Sequence, residues 1–173
     1  MIGLTKKIIR NQTASLLKKN KLERNSIPFD KASSVGILAT IDHYDKLKIV
    51  NNFIDKLEAD GKNVDVLFYE RRKDKPKDYS YKSFSEDEIS FRGGFNNEYI
   101  HHFAKTPYDY LFHLDSTEDI VLNKILAMSQ ARCRVGPSGD DRANYYELMF
   151  AAEDTDSLSK SIFQYITNVR ENT

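Results

Sequence analysis

The chain has no tryptophan and only one cysteine, Cys133. A lone thiol cannot close an internal disulfide and fits a reducing interior. No apolar run approaches the roughly 18 residues that a bilayer-spanning helix needs. The first residues lack a charged opening followed by an apolar stretch, so no secretory signal is expected and the location is read as cytoplasmic. Seven glycines and four prolines in 173 residues are too few for a low-complexity chain. Net charge is also missing, with 26 basic against 26 acidic side chains. That balance argues against a dedicated nucleic-acid binder, whose footprint is strongly basic. What is present is aromatic anchoring, with ten phenylalanines and ten tyrosines, enough to fix the core of a soluble α/β domain.

The balance hides an asymmetry. Residues 1–24 carry Lys6, Lys7, Arg10, Lys18, Lys19, Lys21 and Arg24 against Glu23 alone, while the other 149 residues hold 19 basic and 25 acidic groups. On a helical wheel Ile2, Leu4, Ile8, Ile9, Leu16 and Leu22 fall in one half and most of the cations in the other, which predicts a basic amphipathic helix over 1–24. Such a helix either packs on the domain or attaches to an anionic membrane surface. A single α/β domain is expected over 34–170.

Within that domain Val35–Thr40 is an apolar run of the kind found in strands covered on both faces. Leu47, Val50, Phe53, Ile54 and Leu57 follow at helical spacing up to Gly61, and Val64–Tyr69 is a second strand. Residues 70–88 hold six basic and six acidic groups without apolar periodicity and read as a solvated excursion. Ile89–Phe91 is expected as a short edge strand before a turn at Gly93 and Gly94, and Asn97–Phe103 as one or two helical turns. Tyr108–Leu114 is a third main strand ending at Asp115. Ser116 and Asp119 resemble a capping box for a helix that buries Val121, Leu122, Ile125 and Leu126. Ala131, Cys133 and Val135 alternate with Arg132 and Arg134, giving a strand with one wet face. Tyr145–Phe150 follows after too few residues for a parallel crossover and is expected to run antiparallel. Leu158, Ile162, Tyr165, Ile166 and Val169 form a closing amphipathic helix. The predicted architecture is a three-layer Rossmann-like sandwich, mostly parallel, with an antiparallel last strand.

In open α/β sheets ligands bind outside the carboxyl ends of central strands. If the two most apolar strands, 35–40 and 108–114, are neighbours, the loops after them share a rim. That rim gathers Thr40, Asp42, His43 and Asp45 with Asp115, Ser116 and Thr117, and the segment ending at Arg142 approaches it. Acids, a base and hydroxyls beside helix amino termini suit an anion or sugar. The same residue types are common helix caps. His101 and His102 diverge on a helix and cannot chelate one metal together. His113 and Asp115 share a strand face but lack a nucleophile, and Cys133 reads as packing. No dinucleotide or phosphate-loop fingerprint occurs, so neither cofactor nor metal is expected. Arg71–Lys82 mixes cations with two tyrosines, as single-strand nucleic-acid grooves do, but Asp74 and Asp78 interrupt it.

The stretch Pro107–Pro137, with Tyr108-Asp109, Leu114-Asp115 and Arg134-Val135-Gly136, resembles the amino-terminal, acceptor-side domain of the family 9, heptosyltransferase-like glycosyltransferases. The resemblance extends over Ile37–Phe53 and places Tyr44-Asp45 on that family's Gly-Asp. It implies Asp45 as a general base. In an enzyme reading of the rim, His43 would assist it and Arg142 or Arg134 would hold an anion. Tyr44 stands where a glycine would leave room for the acceptor, and the donor-binding second domain of that family has no counterpart before Thr173. The whole chain is also similar to a small bacterial family of unknown function. The resulting expectation is a non-catalytic binding or protein-interaction domain, built on half of a glycosyltransferase fold. The alternatives are a sugar- or phosphate-handling enzyme using Asp45, and peripheral membrane attachment through residues 1–24.

Overall fold

The computed structural model describes residues 3–71 and 80–171, with side chains to residue 168. Helix α1 (Gly3–Lys19) leads through an extended segment and a 3-10 turn at Phe29–Lys31 into β1 (Ser34–Ile41). Then come α2 (Tyr44–Ala59), β2 (Asn63–Glu70), β3 (Lys82–Ser85), α3 (Glu98–Lys105), β4 (Tyr110–His113) and α4 (Ile120–Met128). Strands β5 (Cys133–Pro137) and β6 (Leu148–Phe150) precede the closing helix α5 (Thr155–Glu171). The strands form one sheet in the order β3-β2-β1-β4-β5-β6, and every pairing is parallel. This is the doubly wound order, in which the winding reverses between β1 and β4.

The two-residue period of the strands sorts apolar side chains into two cores. Ile37, Phe68 and Phe112 point to the α2 and α5 side, where Phe53, Ile54, Leu158 and Ile162 meet them. Leu38, Leu67 and Leu111 point to the α3 and α4 side, against Ile100, Phe103, Leu122 and Ile125. Because β1 is sandwiched between both, seven of its eight residues are buried, as a continuous apolar run requires.

The last strand corrects the antiparallel expectation. Val135, Gly136 and Pro137 pair with Leu148, Met149 and Phe150 in parallel. A parallel return normally needs a helical crossover, but β6 has only three rungs, about 10 Å of strand. Residues 138–147 span that distance as coil. Tyr146 pins this return: a Cβ on Gly136 would lie 2.4 Å from its ring, so only glycine lets the loop lie flat on β5. Nor does β5 have a wet face. Arg134 is buried, with Nη2 2.7 Å from Glu147 Oε1 and Nη1 donating to the Leu126 carbonyl.

Two further expectations change. The edge strand is β3, inside the segment read as solvated, because Phe84 is buried and stacks on Tyr69 at 4.9 Å between ring centroids. Ile89 and Phe95 contribute only an isolated antiparallel bridge. Helix α1 ends at Lys19 and lies on α4, and its buried line is Thr5, Ile9 and Thr13 rather than the leucines. Leu4 stays 68% exposed. Polar ties hold the helix down: Gln12 Nε2 donates to the Arg92 carbonyl at 2.9 Å, and Lys124 Nζ to Gln12 Oε1 at 2.6 Å. Gly93 adopts φ +76° beneath it, where a Cβ would also meet Ile9. The extended segment after α1 is fastened by Arg24, which donates to the carbonyls of Ser129 and Ala131. Val169 falls among the residues whose side chains are not described. The mixed cationic stretch read from residues 71–82 lies outside the described residues between 72 and 79. No described helix is long and apolar enough to cross a membrane.

Candidate functional site

The turns after β1 and β4 stand side by side, because their strands pair from Val35↔Tyr110 to Leu38↔His113. The hollow between them is filled by the protein's own polar side chains. Asp115, 1% exposed, accepts from Thr40 N at 2.9 Å and from Thr40 Oγ1 at 2.8 Å. Lys46 pairs with the same carboxylate and donates to Thr40 Oγ1 at 2.6 Å. His113 Nε2 lies 3.1 Å from Asp115 Oδ2, and its Nδ1 lies 2.6 Å from the Tyr146 hydroxyl. Burial alone would raise the Asp115 carboxyl, yet His113 and Lys46 hold it well below the usual carboxylate range. Burial pushes the Tyr146 phenol up.

Thr40 and Asp115 are thus brought together, but as internal struts of the switch point. Lys46, missed from sequence, is part of the same strut. Its signal was a lysine sharing a helical stripe with Val50, Phe53 and Leu57. The other rim residues stand outward. His43 precedes the first turn of α2 without a capping bond, and its Nδ1 is 2.5 Å from Asp42 Oδ1. Asp45 is exposed in the first turn of α2. Ser116 and Thr117 do not cap α4, since Asp119 does, its Oδ1 accepting from Val121 N at 2.7 Å and Leu122 N at 3.1 Å. Arg142 reaches across from the loop after β5 and donates to the Ser116 carbonyl at 3.3 Å. Its Nη1, shielded from solvent, has no partner among the described residues.

The residues that carry the resemblance also have structural duties. Asp109 accepts from the backbone N–H groups of Ser33 and Ser34 at 2.9 and 3.1 Å, locking the starts of β1 and β4 together. Burial works against its ionised form, but those bonds win and lower its pKa. The Cys133 thiol is buried and pushed up to about 12 by that burial, so it is no nucleophile. Among the described residues no group of three or more histidines, cysteines and carboxylates could hold a metal.

The open space lies one strand over. A cleft of about 450 Å³ sits outside the carboxyl end of β2, with Tyr69 and Arg71 on one wall. Lys6 and Arg10 of α1 form another wall, and Glu86, Glu118 and Asp119 complete the lining with the first turn of α4. Arg71 is bound to Asp119, with Nε at 3.2 Å from Oδ2. That pairing raises the Arg71 guanidinium against the lowering effect of its burial. Lys6 and Arg10, one helical turn apart and exposed, have no ion-pair partner among the described residues. On the sequence these cations share the polar half of an amphipathic helix. Only the docking of α1 on α4 turns them toward a wall of the sheet.

No curated protein matches this chain. The profile of one family covers residues 5–169, nearly the whole molecule, and the chain therefore belongs to DUF6913, a family of unknown function.

Proposed function

We propose that the protein is a non-catalytic binding domain for a small phosphorylated polyol or sugar, held in the cleft at the carboxyl end of β2. One observation carries the reading: Lys6 and Arg10 line this cleft without a carboxylate partner among the described residues, opposite an Arg71 that Asp119 already neutralises. A phosphate supplies the charge that the two α1 cations lack, and Arg in particular offers a forked donor set for its oxygens. The α4 amino terminus is not free for that purpose because Asp119 occupies it. Glu118, on the same lining, accepts from Asn123 through Oε1 and keeps Oε2 for a ligand hydroxyl. The doubly wound sheet order supports the location, since such sheets bind ligands outside their strand carboxyl ends. The glycosyltransferase resemblance implies the same ligand class. Its catalytic version asks for Asp45 as base, and among the described residues no hydrogen bond or ion pair reaches that exposed side chain.

A thermal-shift screen of the full chain against hexose phosphates, pentose phosphates and nucleotide sugars, with unphosphorylated sugars as controls, tests the reading. A phosphorylated compound at about 100 times its Kd should stabilise by about 2.7 kcal/mol. For a chain of this size that is a rise of roughly 5–10 °C in Tm. Loss of the shift in the Lys6→Ala, Arg10→Ala double variant, with unchanged Tm in the absence of ligand, is the expected companion result. A shift that survives in that variant, or no shift with any compound, overturns the assignment.

A further inference from the structure

Along the opposite flank of α1 runs a second depression. Two adjoining hollows of about 560 and 590 Å³ share Leu16, Lys19 and Met128, and together they follow α1 from Gln12 to Lys19 and the extended segment beyond it to Leu22. The floor is apolar: Leu16 and Met128 are half-buried, Ala127 and Phe95 are buried, and Leu22 remains 42% exposed at one end. The walls are cationic. Lys19, Lys21, Arg92, Lys105 and Lys124 line the two hollows, with His101 beside them, and neither lining contains a carboxylate. In a chain whose basic and acidic residues are equal in number, a continuous concave surface without one acid is a concentration of charge that folding has created. Lys124 is partly desolvated there, which lowers its pKa, and it is held by the Gly93 carbonyl and Gln12.

We infer that this groove is a docking site for an acidic amphipathic segment of a partner protein, whose apolar side chains sit on Leu16 and Met128 while its carboxylates meet the lysine walls. Shape and charge select this occupant. A membrane surface is flat and would engage protruding apolar residues such as Phe91, 73% exposed, rather than the floor of a hollow. Single-stranded nucleic acid needs exposed aromatic faces for its bases, and the aromatic in the lining, Phe95, is 8% exposed. A helix laid into a groove buries one apolar stripe and leaves acids at both edges, matching the arrangement here. Charge complementarity at the walls would set encounter rate and exclude basic competitors.

The experiment is selection of a random 16-residue peptide display library on the immobilised full-length protein, followed by fluorescence anisotropy of the enriched peptides. The expected result is enrichment of peptides with several carboxylates flanking two or three apolar residues. Their affinity should fall about tenfold or more in Lys19→Glu, Lys105→Glu and also in Met128→Gln, all variants keeping the parent circular dichroism. Backbone amide shifts on titration should map to Leu16, Ala127 and Met128. No enrichment, enrichment without acidic bias, or affinity untouched by these substitutions overturns the inference. So does sedimentation with phosphatidylserine vesicles, or self-association of the chain, that is lost in the charge-reversed variant while no acidic peptide is enriched. Lys6 and Arg10 lie outside this groove, so the result is independent of the ligand proposed for the cleft.

Discussion

The switch point between β1 and β4 and the cleft beside it are built from the same residue types, and they are used in opposite ways. At the switch point Asp115, Lys46, Thr40, His113 and Tyr146 satisfy one another and exclude solvent. In the cleft, Lys6 and Arg10 face open space. A buried charge must be paired to be tolerated, so a closed polar network speaks of architecture. Convergent exposed cations without partners cost little to the fold and gain value only when something binds. The crevice where doubly wound folds usually admit a ligand has here been closed, and the opening has moved one strand outward.

The sharpest way to break this contrast is Asp115→Asn. It leaves Lys46 buried without its anion, and removing one partner of such a pair costs about 3–5 kcal/mol. Urea unfolding at neutral pH should show that loss with an unchanged denaturant slope. The pH response adds a signature. Because the folded-state pKa of Asp115 is depressed, its contribution is fully present above the ordinary carboxylate range, near pH 4, and is lost as pH falls towards the folded value. The parent should therefore lose stability steeply below about pH 4, and the asparagine variant less steeply. Some slope should remain in the variant, since Asp109 is shifted in the same direction. A cost below about 1 kcal/mol would mean that the network is not a strut.

Next in size is Gly136→Ala. The added methyl meets the buried Tyr146 ring at 2.4 Å, and that ring is anchored to His113. Overpacking of this kind costs about 1–3 kcal/mol, a Tm reduction of roughly 2–12 °C for a domain of this size. Tyr146→Phe keeps the ring and removes the bond to His113, and calorimetry should show a loss of about 1 kcal/mol. If alanine at 136 were neutral, the return loop would be free to move and β6 would not depend on it.

How much of this was visible beforehand follows from what kind of information each feature carries. β1, α2 and β4 were legible because local apolar patterning alone decides them. The parallel β6 was not, because it depends on a loop whose path is set by contact between Gly136 and Tyr146, ten positions apart with no apolar period between them. β3 was hidden because Phe84 and Tyr81 are the only aromatics between Tyr79 and Phe91 in a heavily charged stretch. At the site, Thr40 and Asp115 were found through strand adjacency. Lys46 was overlooked because a lysine is expected to be solvated, although its stripe pointed inward. The cleft was invisible: Lys6 and Arg10 are some sixty residues distant in sequence from Tyr69 and Arg71, and only the packing of α1 on α4 brings them together.

The smallest expected effects test where binding is located. Lys6→Ala with Arg10→Ala should change stability by no more than about 0.5 kcal/mol, since both side chains are exposed and neither has an ion-pair partner among the described residues. Asp45→Asn and His43→Gln should be as quiet in the unliganded protein, because Asp45 is exposed and the Asp42–His43 pair is a surface contact. The two pairs of substitutions should then separate once a phosphorylated sugar is added. The ligand-induced rise in Tm should disappear in the α1 variant and persist in the α2 variant, because the cleft lining includes the former residues and neither of the latter. The reverse result, with Asp45→Asn abolishing the shift, would move the ligand to the rim above β1 and restore the acceptor-side geometry implied by the glycosyltransferase resemblance. Either pattern fixes which mouth of the sheet is in use, because Lys6 and Arg10 stand on α1 while Asp45 lies in the first turn of α2 and His43 just before it.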